Sequence, residues 1–401
     1  MNPQTGRLAL LAGLLGNAAG HAFLFVVLPP IGRRMGFADL QTGALLSLGA
    51  LVLIVSAPIW GIVAEKRGRR FVLLAGFAGV AIALTLFAAV IGLRLDGRIA
   101  VGAAFAVLLA VRVLQSITSG GLFPAAQAYM ADTTSADRRA GGMGRMAASF
   151  GLGSVIGTGL IWLFAGFSLP LGLAAIAAFV AAAGLICWRT LPESLPAIEA
   201  AAPVAGRIEF GRIWPFLIVT VLGVTTYALL QATTGLRLQD TLGLSPEAAA
   251  GRAGATLTAA SLAMVISQGF LVGWLRWSPH RLISVGAAVA LVSMLAMAFL
   301  PGYLALLAAL CGVGLGLGLL LPGNLAALSL ATGIRAQGKV AGINAVGQGL
   351  GMVLGPIVGA ALLQHSPLAP SLGGAAMIAG VCLMAAIVTM TMNKQQAMET
   401  R

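Results

Sequence analysis

Apolar residues run in stretches of about twenty along almost the whole chain, broken by short polar connections. A helix rising about 1.5 Å per residue needs about 20 such residues to cross the hydrocarbon layer of a bilayer. Cutting at charges, prolines and polar clusters gives spans near 8–30, 40–63, 71–93, 99–130, 143–166, 169–189, 213–236, 252–275, 281–300, 302–331, 340–364 and 372–392. One long polar connection, 191–212, carries Pro192, Glu193, Pro196, Glu199, Pro203, Arg207 and Glu209 and parts six spans from six. The pattern predicts an all-α membrane protein of twelve transmembrane helices. They form two six-helix bundles, 1–190 and 213–401, joined by a linker. The run from Leu8 to Pro30 behind Arg7 is too long for a secretory leader and lacks a small-x-small cleavage site, so it is kept as the first span.

The two halves echo each other. At a constant offset of 198 residues Pro124 meets Pro322, Gly144 meets Gly342, Gly151 meets Gly349, Gly153 meets Gly351 and Gly157 meets Gly355. Glycine is abundant here, but five coincidences at one offset, proline included, argue for an internal duplication of the kind transporters carry.

Composition removes the soluble alternatives. Hydrophobic residues are 59% of the 401, charged residues 9%, and mean hydropathy is +0.99, so lipid is the solvent. A net charge of +13 would suggest nucleic acid in a soluble protein, yet the basic residues sit in short connections and build no basic face. Placing the amino terminus inside puts 17 of the 24 Lys and Arg on the cytoplasmic side, among them Lys66, Arg67, Arg69, Arg70, Arg138 and Arg139. Both termini are then cytoplasmic, in a bacterial-type inner membrane. Cys187, Cys311 and Cys382 fall in apolar segments without metal or redox spacing and read as small packing residues.

The connection after the second span reads GIVAEKRGRR, Gly61 to Arg70: a small residue, a carboxylate (Glu65), a turn glycine (Gly68) and a basic cluster. Four positive charges could serve as a topology signal alone, or the loop could lock two helix ends by ion pairing. The order of residues resembles the signature loop of the major facilitator superfamily, with Glu65 where that loop usually has aspartate. Three more stretches resemble its drug:proton antiporter branch. These are Arg112-Val-Leu-Gln115 with Ser116 in place of glycine, Ala128 to Asp132 with Arg138 and Arg139, and Leu238-Gln239-Asp240 to Ser245. The resemblance spans the chain and implies the major facilitator fold, with Asp132 partnering the basic loop. It also implies that spans 1, 4, 7 and 10 line a central cavity.

The sequence departs from that branch twice. Gly153-x-x-x-Gly157 is followed by Thr158, while the branch's Gly-x-x-x-Gly-Pro form stands in span 11 as Gly351, Gly355 and Pro356; close helix packing explains both stretches equally. None of the eleven acids lies at mid-membrane, so the intramembrane carboxylates of tetracycline exporters are lacking and a cationic substrate is disfavoured.

At depth the sequence leaves Arg112 and His21, with uncharged polar residues around them. Asn17 and His21 lie one turn apart; Arg112, Gln115 and Ser119 share a face, as do Tyr227, Gln231 and Thr234, and Asn344 and Gln348; Asn324 stands in span 10. Each is a candidate for substrate binding or for an interhelical hydrogen bond, and Arg112 leads because an unpaired intramembrane arginine is costly. His21 is the one intramembrane side chain whose ordinary pKa lies near neutrality.

These readings predict a secondary active transporter exporting a small anionic or neutral polar solute (a metabolite, siderophore or drug) by alternating access, with no cofactor beyond the proton gradient. The rivals are uptake or uniport, and a membrane enzyme or sensor. An enzyme would need a cluster of His, Asp or Glu near one interface, and a sensor a soluble output domain. No Gly-Lys-Ser or Gly-Lys-Thr ends a glycine-rich stretch, so a gradient supplies the energy. The protein is taken as a monomer whose partners are its substrate and lipid.

Overall fold

The computed structural model describes residues 3–133, 139–194, 210–332 and 337–399. Twelve helical segments among them are long and apolar enough to cross a membrane. They are α1 (Pro3–Met35), α2 (Asp39–Arg67), α3 (Arg69–Leu95), α4 (Val101–Asp132), α5 (Arg139–Ala165), α6 (Leu169–Thr190), α7 (Phe210–Leu242), α8 (Pro246–Leu275), α9 (Pro279–Phe299), α10 (Tyr303–Thr332), α11 (Gln337–Leu363) and α12 (Ala369–Glu399). Every expected span is a helix, and several run a turn or more past the apolar cut points. A helix end carries its own backbone hydrogen bonds into the polar layer, so it does not have to stop where hydropathy does.

α4 is not the unbroken helix the sequence suggests. It halts at Ser119 and restarts at Leu122. The Trp60 indole donates to the Ile117 carbonyl at 2.5 Å and Ser56 Oγ to the Ser116 carbonyl at 3.1 Å, so α2 satisfies two of the helix's own acceptors. Gly120 and Gly121 permit this approach, because a methyl at either would strike Ser56 or Trp60.

The chain divides into two compact units. The first holds Met1–Ala201 and also Thr234–Ala255, the end of α7, its connecting turn and the start of α8; the second holds Ala202–Thr233 and Thr256–Arg401. The linker foreseen at 191–212 lies mostly outside the described residues. In the first unit α1 packs on α5 and α6, α3 on α4 and α6, and α2 on α4. In the second, α9 packs on α10 and α12, and α10 on α11.

The duplicated glycines do matching work in each unit. Gly153 and Gly157 of α5 lie against the α1 backbone, where a Cβ would run into the carbonyls of Leu15 and Ala19. Gly351 and Gly355 of α11 lie against α7, where a Cβ would come 2.7 Å from Val224 Cβ and 2.8 Å from Leu229 N. Lipid supplies no hydrophobic drive for helix association, so close backbone approach through small residues holds such seams together. Pro356 is buried beside this seam. α1 and α7 are the interior helices, with 72% and 67% of their most apolar windows buried against 22% for α5. Cys187 is fully buried, whereas Cys311 and Cys382 are half-buried.

Candidate functional site

The interior helix of the first unit and the upper segment of α4 bring the leading candidates together. Arg112 is 2% exposed, and its Nη1 donates to Gln115 Oε1 at 2.8 Å. Its Cζ stands 5.7 Å from the ring centre of Phe25 on α1, and His21 stacks on that same ring at 4.6 Å between centroids. On the α2 side Gly49 leaves room for the guanidinium; a methyl there would collide with Nε and lie 2.9 Å from Cγ. Arg112 Nε is buried without an acceptor, and no carboxylate pairs with Arg112 among the described residues. The arrangement holds a permanent positive charge in an apolar enclosure with a donor left unused, which is what an anion needs. Asn17 and Ser119 are half-buried one turn either way.

In the second unit Tyr227 accepts from Gln231 Nε2 at 3.1 Å and also bonds Ser261, giving a polar group on interior helix α7. Thr234, expected beside them, falls in the first unit. Asn324 and Asn344 enter interhelical hydrogen bonds, while Asn324 Oδ1 is buried without a partner among the described residues. Asn324 Nδ2 donates to the Phe216 carbonyl at 2.8 Å and to Thr220 Oγ1 at 2.9 Å, while Thr220 donates to Asn344 Oδ1 at 2.7 Å. Both are at least 96% buried and tie α7, α10 and α11 together, which is the interhelical use of amides in membranes. Gln348 is exposed.

At the loop end of the first unit Gly68 has φ +93°, a conformation that only glycine adopts cheaply. Arg69 pairs with Asp132 across 3.6 Å, as the resemblance implies. The remaining partners differ. Glu65 is exposed, and Glu193 takes the place expected for it, accepting the Arg70 backbone N–H at 3.1 Å over the Gly68 turn. Ser194 donates to Asp132 at 3.2 Å, and Arg70 Nη2 donates to the Trp188 carbonyl at 2.5 Å. The lock is thus three-cornered: the loop, the end of α4 and the chain leaving α6. Gly61 has open space around it, and Arg138 lies outside the described residues.

Phe25, Gly49, Glu193 and Ser194 escaped the sequence reading. Phe25 follows His21 by one turn and could have been found from that spacing. The other three act through contacts dozens of residues away, and nothing local marks them.

The family model of the Major Facilitator Superfamily matches residues 10–275 and 216–397. The chain is 27% identical over 398 residues to "Multidrug resistance protein 2" of Bacillus subtilis (strain 168), covering 93% of each chain. It is 35% identical over 173 residues to "Tetracycline resistance protein, class B" of Escherichia coli, covering 42% of this chain and 39% of that one. Among solved structures it resembles a bacterial homologue of the human lysosomal transporter Spinster, with a TM-score of 0.72 at 18% identity, covering 96% and 94% of the two chains.

Proposed function

This chain belongs to the Major Facilitator Superfamily, and on that premise we propose that it is a secondary active exporter of small anionic or neutral polar organic compounds in a bacterial inner membrane, driven by the proton gradient. Membrane transport follows from the family, and no enzyme activity is assigned. Export is supported by the names of its relatives, multidrug and tetracycline resistance proteins. Substrate charge rests on one observation: Arg112 is enclosed without a carboxylate partner among the described residues and keeps its Nε without an acceptor there. A substrate carboxylate or sulfonate would supply the missing acceptors and pair with the guanidinium in a dry site, where charge-assisted bonds are strong.

In this reading both termini are cytoplasmic, and the Arg69–Asp132 lock closes the inner end of the first unit. His21 shares the Phe25 ring with Arg112, and in this reading it carries the coupling proton. The test is accumulation in a host stripped of its major efflux pumps, using a panel of anionic, neutral and cationic antibacterial compounds with and without a protonophore. Lower accumulation of anionic or neutral compounds, reversed by the protonophore, is expected. Protection against cations alone would overturn the charge assignment, and raised accumulation would favour the uptake alternative.

A further inference from the structure

The second unit holds a pocket that the proposed site does not use, at the end where α7 and α9 begin and α10 and α12 finish. Phe216, Val219, Ile283 and Ala385 give it apolar walls, and His280 and Asn324 are its polar members. The space is about 10 Å³, room for one hydroxyl-sized group. Asn324 is 1% exposed and spends its amide hydrogens on the Phe216 carbonyl at 2.8 Å and Thr220 Oγ1 at 2.9 Å. Its Oδ1 is left buried with no donor among the described residues. An acceptor so placed is costly until something donates to it.

Depth and surroundings point to the membrane surface. A Cβ on Gly323 would lie 2.7 Å from Leu282 Cβ and 3.1 Å from the Pro279 carbonyl, so this turn of α10 is level with the start of α9. Trp214, Trp274 and Trp277, half of the chain's six tryptophans, stand at the same end, as indoles do at the headgroup level. Arg281 is exposed, with its Cζ 4.4 Å from the ring centre of Trp277. No carboxylate pairs with Arg276, His280 or Arg281 among the described residues. The imbalance runs through the unit: Ala202–Thr233 and Thr256–Arg401 carry eight Lys and Arg against two acids, Glu209 and Glu399. In the first unit the loop cluster has Asp132 and Glu193 to answer it.

We propose that this end of the second unit binds one anionic glycerophospholipid of the phosphatidylglycerol type. Its phosphodiester lies against His280 and Arg281, both able to donate to phosphate oxygens, and a headgroup hydroxyl enters the pocket and donates to Asn324 Oδ1. Its acyl chains run past Trp214 and Leu383, which stand next to lining residues in the chain and are 38% and 59% exposed. A water in the pocket would satisfy Asn324 alone and leave Arg281 without an anion. A choline headgroup brings neither a hydroxyl nor a net negative charge.

The test titrates the full chain, purified in detergent, with dioleoyl phosphatidylglycerol and counts bound copies by native mass spectrometry. Three further titrants are the phosphatidylmethanol of the same chains (equal charge, no hydroxyl), phosphatidylcholine and the soluble headgroup glycerophosphoglycerol. Phosphatidylglycerol should fill one site first, about fivefold more tightly than phosphatidylmethanol, as one hydrogen bond predicts. Phosphatidylcholine and the soluble headgroup should bind more weakly still. Arg281→Ala, at an exposed residue, should weaken phosphatidylglycerol about fivefold, equivalent to about 1 kcal/mol. Arg67→Ala, which removes an exposed arginine set over Phe71 in the first unit, should leave it unchanged. Ala385→Leu fills the pocket and should erase the preference for phosphatidylglycerol over phosphatidylmethanol while both still bind ahead of phosphatidylcholine, a pattern that unfolding does not produce. Equal binding of those two anionic lipids to the native chain, equal effects of Arg281→Ala and Arg67→Ala, or a soluble headgroup bound as tightly as the lipid would each overturn the site. No flux is read, so this result and the exporter assignment stand or fall separately.

Discussion

Arg112→Ala separates a substrate-binding arginine from a structural one, because the two roles predict opposite balances of stability and transport. Keeping a guanidinium at mid-membrane costs about 2.5–3.5 kcal/mol on insertion scales, and truncating a large buried side chain costs about 2–5 kcal/mol in packing. Arg112 is 2% exposed and, among the described residues, satisfied by one side-chain hydrogen bond, to Gln115, so these terms nearly cancel on its removal. The melting temperature in detergent should therefore move little. Export should not survive: two charge-assisted hydrogen bonds to an anion contribute about 1.5–3 kcal/mol each, a combined loss of roughly a hundredfold or more. Arg112→Lys keeps the charge but not the planar fork and should lose about tenfold to a hundredfold. Gly49→Ala keeps the arginine itself and pushes a methyl against Nε, Cγ and Cδ, so it tests position alone. Overpacking of about 1–3 kcal/mol should displace the guanidinium and cut export of anionic compounds about tenfold. The assay is protonophore-sensitive efflux of the best anionic compound, set beside thermal melting of the purified variants. A stable Arg112→Ala protein that exports anions at the native rate would refute the reasoning.

Three further outcomes follow from the geometry. A reporter fused after Arg401 should read as cytoplasmic, and an external reading would overturn the even span count and the orientation drawn from the Lys and Arg distribution. Asp132→Asn and Glu193→Gln should each slow turnover several-fold with apparent affinity nearly kept, while Glu65→Gln should have the smaller effect because Glu65 is exposed; equal effects in initial-rate measurements would return Glu65 to the lock. Gly157→Leu should prevent assembly, seen as loss of the monodisperse peak in size-exclusion chromatography, since even a Cβ there meets the Ala19 backbone at 2.7 Å, whereas Gly61→Ala, with open space around it, should behave as the native chain.

The parts of the molecule legible in the sequence are those that lipid imposes. A bilayer demands long apolar helices with internally satisfied backbones, so the spans and the glycine seams could be read from hydropathy and spacing. Arg112 was visible for the same reason, as a charge where charge is costly. What surrounds it was not. Gly49 looks like any small residue of α2, and its importance comes from the chain sixty-three positions away that passes against it. The break in α4 is likewise made by Ser56 and Trp60 of another helix. That Asn324 and Asn344 share Thr220 left no sign in the sequence, because an amide facing a cavity and an amide facing a neighbouring helix have the same periodicity. Glu193 read as linker charge, because an ion pair's partner leaves no local trace in its surroundings.

The most direct test of the account is uptake of the anionic compound that gives the strongest cellular phenotype into everted membrane vesicles with an acidified lumen. The account predicts accumulation inside them above the external concentration, abolished by a protonophore and absent with Arg112→Ala. Uptake equal to that of vesicles lacking the protein, or accumulation indifferent to collapse of the proton gradient, would contradict it.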